Sequence, residues 1–164
     1  MLFVFVLFLN LFVSFNKGRE NSDMENVNRV STNRVLANLL KISPENIVIT
    51  GNELMLDTYL WRDFMPGVEE NESRLIGVIK FKGQSGFILS NAISISKVYV
   101  INNNEMWVCD TFETRVIEPD LFEIVVKDGP KWEPGINVDA ICEFKNEEQS
   151  FRLMAKSQKI DVIY

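Results

Sequence analysis

The pattern of apolar and polar residues is richest between Glu53 and Pro66, where both faces of a predicted strand carry large apolar side chains. In an extended strand, successive side chains point to opposite faces. One face then holds Leu54, Leu56, Thr58, Leu60 and Phe64, and the other holds Met55, Tyr59, Trp61 and Met65. A strand that is apolar on both faces is typical of a sheet interior. We therefore predict a central strand here, with Trp61 in the core.

The remaining chain after Asn46 consists of short apolar stretches separated by glycine, proline and asparagine turns. The clearest alternation lies between Ile136 and Phe144. Its predicted inward side chains are Val138, Ala140, Cys142 and Phe144. Further strands are predicted at 47–50, 74–82, 91–101, 106–116, 121–126, 150–155 and 160–164. Short strands at even spacing predict an all-β fold, namely an antiparallel β-sandwich of about seven strands.

The first forty-five residues have a different character. Met1–Phe15 is an apolar run broken only by Asn10 and Ser14, and its length is typical of a signal peptide, or of an uncleaved anchor. Residues 16–45 are predicted to be a polar tether that contains a short helix at Arg34–Lys41. The sandwich domain is then expected at residues 46–164. This organisation predicts export to the periplasm, the cell envelope or the extracellular space, with membrane contact only through the N-terminal segment.

The amino-acid composition argues against several kinds of binding and catalysis. The net charge of −6 disfavours binding to nucleic-acid phosphates. The chain has no histidine, which removes Ser-His-Asp catalysis and histidine metal sites. Any catalysis would therefore use carboxylate, lysine, tyrosine or cysteine side chains. We assign no catalytic residue, cofactor or metal site from the sequence.

Three residues are candidate binding residues. Arg62 falls on a strand face beside apolar neighbours. One interpretation is that it binds an anion or a carboxylate. The other is that it pairs with an acidic side chain of this chain or reaches solvent at the strand end. Tyr59, together with Trp61, forms either an aromatic binding platform or part of the core. Trp132 lies in a loop, Asp128–Gly135, that is rich in proline and glycine. It either faces a partner or closes the end of the sandwich.

The two cysteines, Cys109 and Cys142, are predicted on different strands. Cys142 is expected to point inward, and Cys109 does so if Trp107 does. In an exported protein two inward cysteines on facing strands form a disulfide if their Cα atoms lie within about 7 Å. The alternative is two buried thiols that pack as small apolar side chains.

Several segments together resemble a known group of proteins. They are Tyr59–Pro66, Lys97–Ile101, Asp128–Gly135 and Val138–Cys142. Over residues 53–156 the chain resembles uncharacterised exported bacterial proteins with an immunoglobulin-like or fibronectin-III-like β-sandwich. The resemblance implies that fold and an exported location, and it implies no activity. Since one sandwich architecture serves many functions, the fold alone does not assign one.

The expected function is an exported, non-enzymatic β-sandwich module that binds a protein or glycan partner. Two alternatives stay open from the sequence. One is a carboxylate-based glycan hydrolase, whose pair of acids cannot be identified from sequence spacing. The other is a structural spacer of an envelope assembly.

Overall fold

The computed structural model describes residues 28–67, 73–83, 93–118 and 121–164. Within these ranges the chain forms ten strands and one helix. The helix α1 covers Arg34–Leu40. The strands are β1 (Arg29–Ser31), β2 (Asn46–Ile49), β3 (Asn52–Asp63), β4 (Leu75–Lys82), β5 (Ser94–Asn102), β6 (Glu105–Cys109), β7 (Glu113–Glu118), β8 (Leu121–Val126), β9 (Asn137–Asn146) and β10 (Gln149–Ile163). The prediction of an all-β fold is confirmed.

One continuous, curled sheet contains all of these strands. The order is β1-β6-β5-β9-β10-β3-β4-β8-β7, and β2 pairs with β3 beside this path. The long strand β10 joins the two halves: Gln149–Lys159 pairs with β9, and Ile160–Ile163 pairs with β3. The β10–β3 pair is parallel. The sheet therefore differs from the predicted one, because it has ten strands rather than about seven and is mixed rather than antiparallel.

The two halves of the curled sheet share one hydrophobic core. Phe81 on β4 meets Phe144 on β9 edge to face, with ring centroids 5.2 Å apart. Val138, Ala140, Cys142 and Phe144 of β9 are all buried, as their alternation predicted, and all of them except Ala140 belong to this core. Side chains from both halves therefore exclude water together, and their burial is the main stabilising contribution to the fold.

Residues before Asn46 also pack on the sheet. Strand β1 pairs with β6. Asn33 is the N-cap of helix α1: its Oδ1 accepts a hydrogen bond from the backbone N–H of Leu36, which is a common way to begin a helix. Its buried residues, Ala37 and Leu40, cover the outer face of the β1–β6–β5–β9 half. The predicted helix is thus present. The sequence analysis placed β1 and α1 in a tether before a domain that starts at Asn46, whereas both pack on the sheet. The sequence pattern did not reveal this packing, because β1 has only three residues.

The predicted signal peptide or anchor at residues 1–15 and the tether up to residue 27 lie outside the described residues. Among the residues that are described, no helix has the length and apolar character needed to cross a bilayer.

The β2–β3 hairpin turns at Thr50 and Gly51. Ile49 pairs with Asn52 across the turn, and both turn residues have positive φ, 49° and 82°. This is the type I′ geometry that suits two-residue hairpins. It fixes the register of β3, so that Leu54, Leu60 and Arg62 are buried while Tyr59 points outward.

Candidate binding site

Tyr59 and Trp61 lie side by side on the outer face of β3. Their rings stack with centroids 5.1 Å apart and an interplanar angle of 25°. The Tyr59 side chain is 45 % exposed, and Trp61 is half-buried. The predicted core position of Trp61 is therefore wrong, since the buried face of β3 is the other one. Of the two interpretations made from the sequence, the core position does not fit, and the aromatic binding platform stays a prediction.

A concave slot opens beside Tyr59. It is bounded by Tyr59, by the turn at Pro134 and Gly135, and by Lys159–Val162 of β10, and its volume is about 380 Å³. We call it the Tyr59 slot. Gly135 has φ +88°, and a Cβ on it would meet no atom within 4 Å. Glycine is therefore needed there for the backbone conformation and not because of crowding.

Backbone hydrogen bonds fix the Pro134–Gly135 turn against β10. The N–H of Gly135 donates to the carbonyl of Ile160 at 2.7 Å, and the N–H of Ile160 donates to the carbonyl of Ile136 at 3.0 Å. Proline followed by glycine suits a tight turn, because proline presets its own φ and glycine accepts a positive φ. Two sides of the Tyr59 slot are consequently held in a fixed relation.

The charged groups at the slot form a weak ion pair. Lys159 Nζ lies 3.4 Å from Asp161 Oδ1; the lysine side chain is 63 % exposed and the aspartate side chain 39 %. Such surface pairs contribute about 0–1 kcal/mol. A ligand that offers hydroxyl groups can therefore replace this interaction at little cost. The slot thus combines an aromatic surface with one hydrogen-bond donor group and one acceptor group.

Arg62 is buried on the face of β3 opposite to Tyr59. Only 4 % of its surface is exposed. Its Nε donates to the carbonyl of Ser73 at 3.2 Å, its Nη1 lies 3.4 Å from the carbonyls of both Lys131 and Trp132, and its guanidinium sits 4.8 Å from the centroid of the Phe64 ring. This burial contradicts the exposed strand end expected from the sequence. Among the described residues, the partners of Arg62 are backbone carbonyls and an aromatic ring rather than an acidic side chain. Instead, Arg62 holds the loop of residues 127–136 to the end of β3.

Trp132 anchors the same loop from its other side. The indole is buried in the core, and its Nε1 donates to Glu105 Oε2 at 2.7 Å. Gly129 lies close by: a Cβ on it would approach Leu75 and the Trp107 ring at 2.8 Å. The loop therefore packs tightly on the core at Gly129 and Trp132. Pro134 and Gly135, which follow, border the slot.

The structure brings the three candidate residues to one end of the sheet in different roles. Tyr59 lines the slot, whereas Arg62 and Trp132 position the loop that forms its wall. The sequence interpretation did not identify Pro134, Gly135, Lys159 or Asp161 as site residues. The Pro-Gly dipeptide inside the predicted rigid loop was the available signal. Lys159 and Asp161 gave none, because their approach to β3 depends on the parallel β3–β10 pairing.

Cys109 and Cys142 are both buried and free. Each lies opposite Val98, one on β6 and the other on β9, with β5 between them. Two inter-strand spacings separate their Cα atoms by about 9–10 Å, which is beyond the reach of a disulfide. Of the two alternatives left open from the sequence, the structure therefore has the two buried thiols. The sequence does not show that β5 lies between the two strands. Burial raises the pKa of both thiols far above their usual range.

Both thiols are expected to be recovered unmodified from purified protein. Alkylation under denaturing, non-reducing conditions should add two labels per chain, because no intramolecular bond protects either sulfur. Mass spectrometry of the intact protein measures the count. A chain that takes up labels only after reduction would contradict the separation by β5.

Within the described ranges, no group of three or more histidine, cysteine, aspartate or glutamate side chains is placed to hold a metal ion. No protein-family model matches this chain, and neither a curated protein nor a solved structure matches it. The resemblance to exported immunoglobulin-like proteins thus stays a prediction.

Proposed function

We propose that this protein is an exported, non-enzymatic module that binds a glycan in the Tyr59 slot. The observation that carries the proposal is the exposed Tyr59 ring, held by its stack on Trp61 and bordered by the polar pair of Lys159 and Asp161. Export is supported by the apolar run at residues 1–15. Immunoglobulin-like modules also bind through loops carried by a packed sheet, and the proposal adopts that part of the resemblance.

The chemistry of the slot suits a sugar ring. The faces of aromatic rings carry partial negative charge, so they attract the slightly positive C–H groups on one side of a pyranose. A carboxylate such as that of Asp161 accepts hydrogen bonds from sugar hydroxyls, and the Lys159 ammonium donates to their oxygens. Since one positive and one negative side chain border the slot, we propose a neutral glycan rather than a strongly acidic one.

The binding proposal is better supported than glycan hydrolysis. Hydrolysis by carboxylates requires two acids on opposite sides of the scissile bond, about 5–10 Å apart. Among the residues that line the slot, Asp161 is the single carboxylate, and it pairs with Lys159. The polar groups of the slot can orient a sugar, but they do not supply an acid and a nucleophile.

Replacing Tyr59 with alanine is expected to weaken glycan binding about tenfold or more, because an aromatic contact contributes about 0.5–1.5 kcal/mol beyond its buried area. An array of neutral and acidic oligosaccharides identifies the best ligand, and titration calorimetry compares the variants on it. Tyr164→Ala is the matched control, since Tyr164 is 83 % exposed and lies outside the slot. Absence of binding to any glycan on the array, or an equal loss in Tyr164→Ala, would contradict the proposal.

A further inference from the structure

One edge of β10 lacks a strand partner in the described part of the chain. Over Gln149–Lys159 the strand pairs with β9 on one side, and β3 joins the other side only from Ile160 onward. At the unpaired edge, the N–H of Met154 donates instead to the carbonyl of Pro44, in the connection between α1 and β2. The first residues of β10 therefore present an edge that no described strand covers.

The backbone groups of Ser150 and Arg152 point toward this open edge. In a strand, the N–H and C=O of one residue point to the same side, and the side alternates from residue to residue. Met154 points to the open edge, and the register shift in β10 comes only after Ala155. Ser150 and Arg152, two and four residues earlier, consequently share its direction. Phe151 and Leu153 bond to β9.

The open edge borders an apolar groove, which we call the β10 groove. Its volume is about 690 Å³. Apolar walls come from Leu39 and Ile42 at the end of α1, from Ile47 on β2 and from Phe151 on β10. Leu39 is 52 % exposed and Ile42 is 79 % exposed. Large aliphatic side chains at this exposure, beside unpaired backbone groups, are typical of a surface that another chain covers.

We infer that an extended peptide segment of a partner protein binds in the β10 groove and adds a strand to the edge of β10. Its backbone pairs with Ser150 and Arg152, and alternate apolar side chains contact Leu39, Ile42, Ile47 and Phe151. This is the strand-addition mode of peptide recognition, in which main-chain hydrogen bonds give affinity and side-chain contacts give selectivity. This surface is distinct from the Tyr59 slot.

The charges that line the groove, and the segments beside it, limit which chain can bind there. The charged groups that line the groove are Glu143 and Arg152, whose Oε2 and Nε atoms lie 2.9 Å apart. Because they neutralise each other, the groove favours apolar rather than charged side chains. A second copy of this chain fits poorly through the same edge, since the α1–β2 connection already lies beside it and its Pro44 carbonyl accepts from Met154. A thin, single strand reaches it.

The test uses the full chain and a displayed library of short random peptides. Peptides that bind are expected to alternate apolar residues and to lose binding when the amides that face β10 are N-methylated. Hydrogen exchange followed by NMR reports the pairing directly. The amides of Ser150 and Arg152 should exchange fast in the free protein and slowly in the complex, while those of Phe151 and Leu153 are slow in both states.

Two aspartate variants, one in the groove and one on α1 outside it, test whether the groove is the binding surface. Ile42→Asp should weaken the selected peptide at least about tenfold, because it puts a charge on the apolar wall. Val35→Asp is the matched control, since Val35 is 72 % exposed on α1 and lies outside the groove; binding should be unchanged. Three results would overturn the inference: no enriched peptide, protected Ser150 and Arg152 amides in the free protein, or equal losses in the two variants.

Discussion

Replacing Arg62 with alanine is expected to lower the free energy of unfolding by about 3–5 kcal/mol. The truncation removes the donors that serve the carbonyls of Ser73, Lys131 and Trp132, and these oxygens lie where water has little access. It also leaves an empty volume under the 127–136 loop and removes the contact with the Phe64 ring. Urea unfolding followed by tryptophan fluorescence measures the change.

Two further arginine variants serve as comparisons for Arg62→Ala. Arg62→Lys keeps the positive charge but offers one ammonium instead of the planar fork, so it should fall between wild type and Arg62→Ala. Arg152→Ala removes an arginine from an exposed ion pair with Glu143 and should cost about 0–1 kcal/mol. If Arg62→Ala were as mild as Arg152→Ala, the three carbonyls would have to be satisfied by solvent, and Arg62 would not hold the loop.

The strand face of Arg62 could be predicted from the sequence, but its hydrogen-bond partners could not. The alternation along Glu53–Pro66 correctly placed Arg62 on the same face as Leu60. Its partners could not be predicted, because they are backbone carbonyls, and two of them lie in a loop about seventy residues away. A backbone carbonyl has no signature in the sequence. The expected partners of a buried arginine were therefore acidic side chains, whereas the partners among the described residues are backbone carbonyls.

The local sequence pattern predicted single strands and their buried faces, but it did not predict which strands are neighbours in the sheet. The inward face of β9 followed from alternation alone, since period two decides which side chains share a face. The alternation along β10 does not reveal that the strand changes partner at Ile160, from β9 to β3. The parallel pairing, the separation of the two cysteines by β5 and the walls of the Tyr59 slot all depend on such neighbours. Those are the features that the sequence interpretation missed.

Replacing Phe144 with alanine is expected to lower the free energy of unfolding by about 3–5 kcal/mol, the usual cost of a large cavity in a core. Phe144 is fully buried, meets Phe81 edge to face, and stacks on Phe151 at 5.8 Å. Phe151→Ala is the matched comparison, because Phe151 is only partly buried, and it should cost clearly less. Urea unfolding of each variant measures these differences.

The pair of Phe81 and Phe144 also tests the curl of the sheet itself. The two residues belong to different halves, β4 and β9, and no strand pairing connects these two strands directly. Their contact exists only because the sheet folds back on itself. A double-mutant cycle with both alanine variants should give a coupling of about 0.5–1.5 kcal/mol, as for other edge-to-face aromatic pairs. Additive effects of the two substitutions would mean that the rings do not touch, and the two halves would then not share one core.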